Sequence, residues 1–163
     1  MLKRLLFAVV AALFFAIQFN ISSASAVEIT EEIRTVKLNN AGEEVLLDLK
    51  ELKKGQKIFV DSCSYCHKSG LTKTNPNVNL GEDALANAEP PRDNVEGIVE
   101  YLKNPKTYDG ENFIYELHPN TTRSDLYPMM RNFTDDDLRA VAGHILIQPA
   151  LRGILWGGGK VYN

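Results

Sequence analysis

The chain has 163 residues, of which 18 are basic and 21 acidic, for a net charge of −3; that is the length of a single domain. This balance excludes proteins that hold nucleic acid or anionic lipid by charge. With two cysteines in all, there is no second pair to complete a four-ligand zinc site.

Residues 1–26, "MLKRLLFAVVAALFFAIQFNISSASA", place Lys3 and Arg4 before an apolar run from Leu5 to Phe19 and end in Ala24-Ser25-Ala26. This three-part layout predicts a secretory signal cleaved after Ala26. The run is short for the ~20 residues of a spanning helix, which disfavours a retained anchor. Cleavage leaves residues 27–163 as one domain, more acidic than the whole because two basic and no acidic residues are removed.

Residues 27–50 read as a β-hairpin extension. In "IRTVKLNNAGEEVLLDL", Val36 and Leu38 alternate before Asn39-Asn40-Ala41-Gly42, and Val45, Leu47 and Leu49 alternate after it. An early helix follows, with Leu49, Leu52, Gln56 and Phe59 spaced for one face. Gly55 inside it costs ~1 kcal/mol against Ala and predicts close approach of another helix.

The early helix leads into Cys63-Ser64-Tyr65-Cys66-His67. This is C-x-x-C-H, the covalent haem attachment pattern. Two thiols separated by two residues add across the haem vinyl groups as thioethers, and the adjacent histidine is held under the iron as an axial ligand. A redox dithiol and a zinc site compete less well. Haem is joined to this motif after export, so motif and signal peptide support one another. The implied cofactor is one haem c per chain, covalently attached through Cys63 and Cys66 with His67 on the iron.

From Lys68 to Arg92 the chain is rich in Asn, Thr, Gly and Pro and reads as loop, with a short helix near Glu82 to Ala88. In "DNVEGIVEYLKNP", Asp93 caps a helix with Val95, Ile98, Val99 and Leu102 as its stripe, ended by Asn104-Pro105. "FTDDDLRAVAGHILIQP" gives the clearest helix. Thr134 and Asp137 form a shortened capping box, Phe133 staples onto Leu138, and Leu138, Val141, Ala142, Ile145 and Leu146 form the stripe until Pro149 stops it. Gly143 beside that stripe and Gly55 are expected to meet where the two helices cross. The tail, 150–163, carries three consecutive glycines after Trp156 and reads either as a frayed terminus or as a partner-binding segment with Trp156 and Tyr162 as exposed anchors.

An early helix ending in the attachment motif, a middle helix and a late helix crossing the first resemble a class I c-type cytochrome: a mainly α domain around a haem, with the hairpin added. The sixth iron ligand is Met or His in an electron-transfer haem. His144 lies inside the late helix and reads as a packed residue. Met129 and Met130 in "YPMMRNF" and His118 in "ELHPNTTRSD" lie in loop sequence, and spacing alone leaves His118 and Met130 equally placed. Asn120-Thr121-Thr122 and Asn132-Phe133-Thr134 match the glycosylation pattern, a weak signal, and Thr134 already has a capping role.

Further stretches carry a closer resemblance: "CSYCH", "GLTKTNP" (70–76), "PPRDN" (90–94), "NPKTYDGE" (104–111), "HP" (118–119), "MRN" (130–132), "AGHIL" (142–146) and "WGGGKVY" (156–162). Together they are similar to the PsbV family, cytochrome c-550, across nearly all of residues 27–163. The resemblance implies a bis-histidine haem, with His67 and His118 as axial ligands and Met130 in the pocket. It implies a low-potential, non-enzymatic subunit in the thylakoid lumen of a cyanobacterium or algal plastid. That subunit binds photosystem II core subunits and other extrinsic subunits through protein contacts, and stabilises the oxygen-evolving manganese cluster and its calcium and chloride requirement. A diffusible lumenal electron carrier is the alternative; a peroxidase-like enzyme would need an open iron position.

Overall fold

One short helical turn is not announced by local patterning. In the computed structural model, which describes residues 3–4 and 28–158, the Thr30 hydroxyl accepts from the Ile33 N–H and starts α1 (Glu31–Arg34). The hairpin follows as expected. Thr35–Lys37 (β1) and Glu44–Leu46 (β2) run antiparallel with Val36 opposite Val45. Alternation turns both valines onto the helices while their strand neighbours face solvent. The turn closes through Gly42, whose φ of +85° suits glycine, and through the Asn39 side chain, which accepts from the Ala41 N–H.

The early helix, α2 (Leu49–Ile58), is phased by Asp48, whose carboxylate accepts from the Lys50 and Glu51 N–H groups. That phase differs from the expected one. Leu52, Gly55 and Phe59 are buried, whereas Leu49 and Gln56 face solvent. Leu47 has already entered the core at the end of the hairpin, 1% exposed, so the first helical residue is rotated outward.

A wide π turn (Phe59–Cys63) and α3 (Ser64–His67) carry the attachment motif. The loop beyond contains the short α4 (Glu82–Ala86). The middle helix, α5 (Val95–Lys103), is capped by Asn94 and not Asp93: the Asn94 side chain accepts from the Gly97 N–H at 2.8 Å. Asp93 instead pairs with Lys37, tying the hairpin to this corner.

The late helix, α6 (Asp135–Arg152), starts with the full capping box. It does not stop at Pro149 but runs one turn further, to Gly153 at φ +52°. Proline removes a single N–H bond, and that loss falls in a segment held by buried Ile147 and Gln148 and by Leu151. Nor is α6 buried along one stripe. Leu138, Ala140, Val141, Ala142, Gly143, His144, Ile145 and Ile147 are all buried, so it is the central element, packed on α2 and α5.

Both helix glycines mark close approaches, but to different partners. A Cβ on Gly55 would overlap the Ala140 carbonyl oxygen of α6, while one on Gly143 would lie 2.9 Å from Leu47 Cδ1. The main core joins Phe59, Val95, Ile98, Leu102, Leu138, Val141, Ile145 and Trp156, and a smaller one joins Leu47, Leu52 and Ile147.

Trp156 is therefore core, not an exposed anchor. It is 4% exposed, its indole N–H donates to the Leu80 carbonyl at 2.8 Å, and its ring lies 5.5 Å from that of Phe59. Aside from Lys3 and Arg4, the leader lies outside the described residues, as do Tyr162 and the rest of the tail beyond residue 158. No helix of the described residues is long and apolar enough to cross a membrane.

Candidate functional site

The helices leave a cavity of about 560 Å³ between them. Apolar side chains dominate it, among them Phe59, Leu80, Leu85, Ile98, Met130 and Ile145. Cys63, Cys66 and His67 line it, as do His118 and Pro119 from the loop after α5.

The motif wall is shaped by the turn around it. The Ser64 hydroxyl donates to the Val60 carbonyl at 2.6 Å across the π turn. After His67 the chain reverses through Ser69 and Gly70, both with positive φ. A Cβ on Gly70 would lie 2.8 Å from the Trp156 indole, and the Gly157 N–H donates to the Ser69 carbonyl at 2.8 Å. Trp156 thus backs the attachment motif from behind.

The His118 wall is held by a residue that the sequence offered only as a weak glycosylation pattern. Asn120 is fully buried. Its amide donates to the Tyr115 and His118 carbonyls at 2.9 and 2.8 Å and its oxygen accepts from the Arg123 N–H at 2.7 Å. Bulky glycosylation needs an accessible asparagine, so this folded segment excludes it.

Across the cavity, the His67 and His118 ring centroids lie 6.1 Å apart. His118 Nδ1 is 2.8 Å from the Pro119 carbonyl. A carbonyl only accepts, so Nδ1 carries the proton and Nε2 is left with its lone pair. Two imidazoles bonded to one metal ion from opposite sides, each at about 2.0 Å, have centroids about 6 Å apart. The pair fits an iron between the rings. His67 Nδ1 meets the Thr72 hydroxyl at 3.3 Å, a partner that orients the ring.

Electrostatics point the same way. Burial, and next the charge His67 would carry, lower the His118 pKa to about 4. Burial also lowers that of His67. Both rings are thus held in the neutral form that binds metal. Burial, reinforced by Cys66, pushes the Cys63 thiol up to about 12. A redox dithiol depends on a depressed thiol pKa, and the shift at Cys63 runs the other way.

Among the other candidates, Met130 is buried in the cavity wall, whereas Met129 is half exposed and His144 lies outside the cavity lining. His144 packs between Phe59 and Trp156, at 5.2 and 6.4 Å between rings, with Gln148 beside its Nδ1. Two further residues are not apparent from spacing. Tyr101 meets His118 edge-on at 4.8 Å, and the Arg92 guanidinium sits 4.0 Å over the Tyr101 ring. Arg92 falls within "PPRDN", but nothing local marks it as buried.

The family model described as "Cytochrome c-550 domain" matches residues 27–163. The chain is 54% identical to photosystem II extrinsic protein V of Aphanothece halophytica over 163 residues, with all of both chains covered. It is 54% identical to the same-named protein of Synechococcus elongatus over 161 residues, covering 99% of this chain and 96% of the other. The crystal structure of a cytochrome c549 superposes with a TM-score of 0.76 at 54% identity, covering 78% of this chain and 98% of that one. The chain therefore belongs to the cytochrome c-550 family and is a c-type cytochrome that carries a covalently attached haem.

Proposed function

We propose that this cytochrome is a low-potential, bis-histidine subunit of photosystem II. On this reading Cys63 and Cys66 form the two thioethers and His67 and His118 bind the iron. The observation that carries the reading is the facing pair of imidazoles, 6.1 Å apart, with His118 Nδ1 tied to Pro119. When bound, the haem supplies one-electron chemistry.

The chain's own residues set how that chemistry is expressed. The Pro119 carbonyl and Thr72 orient the two rings and fix which nitrogen faces inward. Phe59, Leu80, Ile98 and Ile145 line the cavity with apolar surface. With both axial positions held by histidine there is no open position for substrate, which supports a non-enzymatic role. Histidine in place of methionine also lowers the reduction potential.

The relatives' name, photosystem II extrinsic protein V, supports a peripheral site on that complex. We place it on the lumenal side, where the signal peptide would deliver residues 27–163 after cleavage behind Ala26. There the subunit contacts core and extrinsic subunits and stabilises the manganese cluster and its calcium and chloride requirement.

Ligation is tested by His118→Ala and Met130→Leu. The first changes the iron spectrum with the haem still attached, and oxidised wild type lacks the near-infrared methionine–iron charge-transfer band. A spectrum moved by Met130→Leu alone overturns the assignment. Salt-resistant co-purification with photosystem II supports the subunit role. Free exchange with soluble redox partners identifies a diffusible carrier instead.

A further inference from the structure

We propose that Arg92 and Tyr101 form a positively charged brace behind His118, which sets the orientation of its imidazole and raises the reduction potential above what two histidines alone would give. The inference rests on His118 being an axial ligand.

Arg92 is 7% exposed, and among the described residues no carboxylate pairs with it. A buried charge is costly unless it is hydrogen-bonded or paired. Here Nη2 donates to the Lys106 and Thr107 carbonyls at 3.1 and 2.8 Å, and the guanidinium plane rests on Tyr101 at 4.0 Å. These protein partners are neutral and hold the cation in place at the cavity wall. Tyr101 then presents itself to His118 at 4.8 Å and 62°, and His118 faces His67 at 6.1 Å. One column of contacts joins a fixed positive charge to the two rings.

Two consequences separate. The Tyr101 ring limits how far the His118 imidazole can rotate, because an edge-on aromatic contact has a preferred geometry. The Arg92 charge acts at longer range. An iron held here would gain positive charge on oxidation, and a nearby cation would disfavour that state. The brace therefore favours the reduced form.

The simplest alternative is that Arg92 only staples residue 92 to the 106–107 loop. Four variants of the full holoprotein distinguish the two: Arg92→Gln, Arg92→Lys, Tyr101→Leu and Tyr101→Phe. Each is titrated with dithionite as electron donor, and the ferric form is examined by electron paramagnetic resonance, whose g-values report the relative orientation of two axial imidazoles.

Arg92→Gln is expected to shift the ferric-to-ferrous ratio at a fixed ambient potential about tenfold toward ferric, which is ~59 mV for one electron. Arg92→Lys keeps the charge but not the planar stack and fork, so it restores the potential without restoring the g-values. Tyr101→Leu moves the g-values, and Tyr101→Phe leaves both readouts as in wild type. Wild-type g-values of a methionine–histidine haem would overturn the ligand reading itself. A bis-histidine wild type whose Arg92→Gln and Tyr101→Leu variants match it in potential and g-values would overturn the brace alone. Equal potentials in Arg92→Lys and Arg92→Gln would likewise show that charge plays no part.

Discussion

A methyl group at position 55 has no room, because the Ala140 carbonyl of α6 occupies the place where it would stand. Backbone cannot swing aside as a flexible side chain can, so Gly55→Ala should cost about 3 kcal/mol, the upper end of ordinary overpacking. A urea or thermal unfolding midpoint measures this. Gly143→Ala should cost less, since it meets the flexible end of Leu47. At the haem site, residue chemistry predicts a graded result. Cys63→Ser should keep one thioether and shift the reduced absorption bands, while loss of both cysteines should prevent stable accumulation. Haem staining of a denaturing gel reads both, and an unstained wild-type band would contradict covalent attachment.

At the scale of elements, α6 depends on its first turn. Thr134 and Asp137 satisfy each other's backbone N–H groups: the Asp137 carboxylate accepts from the Thr134 N–H at 2.8 Å, and the Thr134 hydroxyl accepts from the Asp137 N–H at 3.3 Å. Thr134→Ala should therefore lower stability by about 1 kcal/mol. The bond from Lys54, followed by that from Thr134, lowers the Asp137 pKa to about 2. Since the folded value lies below the unfolded one, this contribution is complete above about pH 5 and fades as the pH falls toward 2. The gap in thermal midpoint between wild type and Asp137→Asn should hold from neutral pH to about pH 5 and close in stronger acid. A gap that persisted unchanged in strong acid would show that the carboxylate's charge is not what stabilises the turn.

Across the whole molecule, Trp156 joins the C-terminal segment to the motif it lies behind. Its indole bonds to Leu80, packs against Phe59 at a tilt and leaves no space for a side chain at Gly70. Trp156→Ala should cost about 3–5 kcal/mol and disturb the haem spectrum. Deletion from residue 156 onward should do at least as much, and would not separate partner binding from folding. Partner binding is better followed with the intact chain. Added back to photosystem II stripped of its extrinsic subunits, it should restore oxygen evolution at low calcium and chloride. Saturable binding without restored activity would retain the partner and remove the stabilising role.

What the sequence determined alone was set over a few residues. Cys63, Cys66 and His67 need only their own spacing to define an attachment motif. The hairpin follows from strict alternation around Asn39–Gly42, and the start of α6 from a box closed within four residues. Such signals are legible because every group they require is adjacent in the chain. Tertiary structure decided the rest. Whether Leu49 or Leu47 enters the core depends on where the hairpin hands over to α2. Asn94 displaced Asp93 as cap, with Lys37 of the hairpin pairing Asp93. Pro149 was passed because distant packing holds α6 beyond it, and Trp156 is buried because Leu80 and Phe59 arrive from elsewhere. Spacing could not choose between His118 and Met130, since both line one cavity. The 6.1 Å between the His67 and His118 rings is a relation between residues far apart in the chain, and folding alone brings it about.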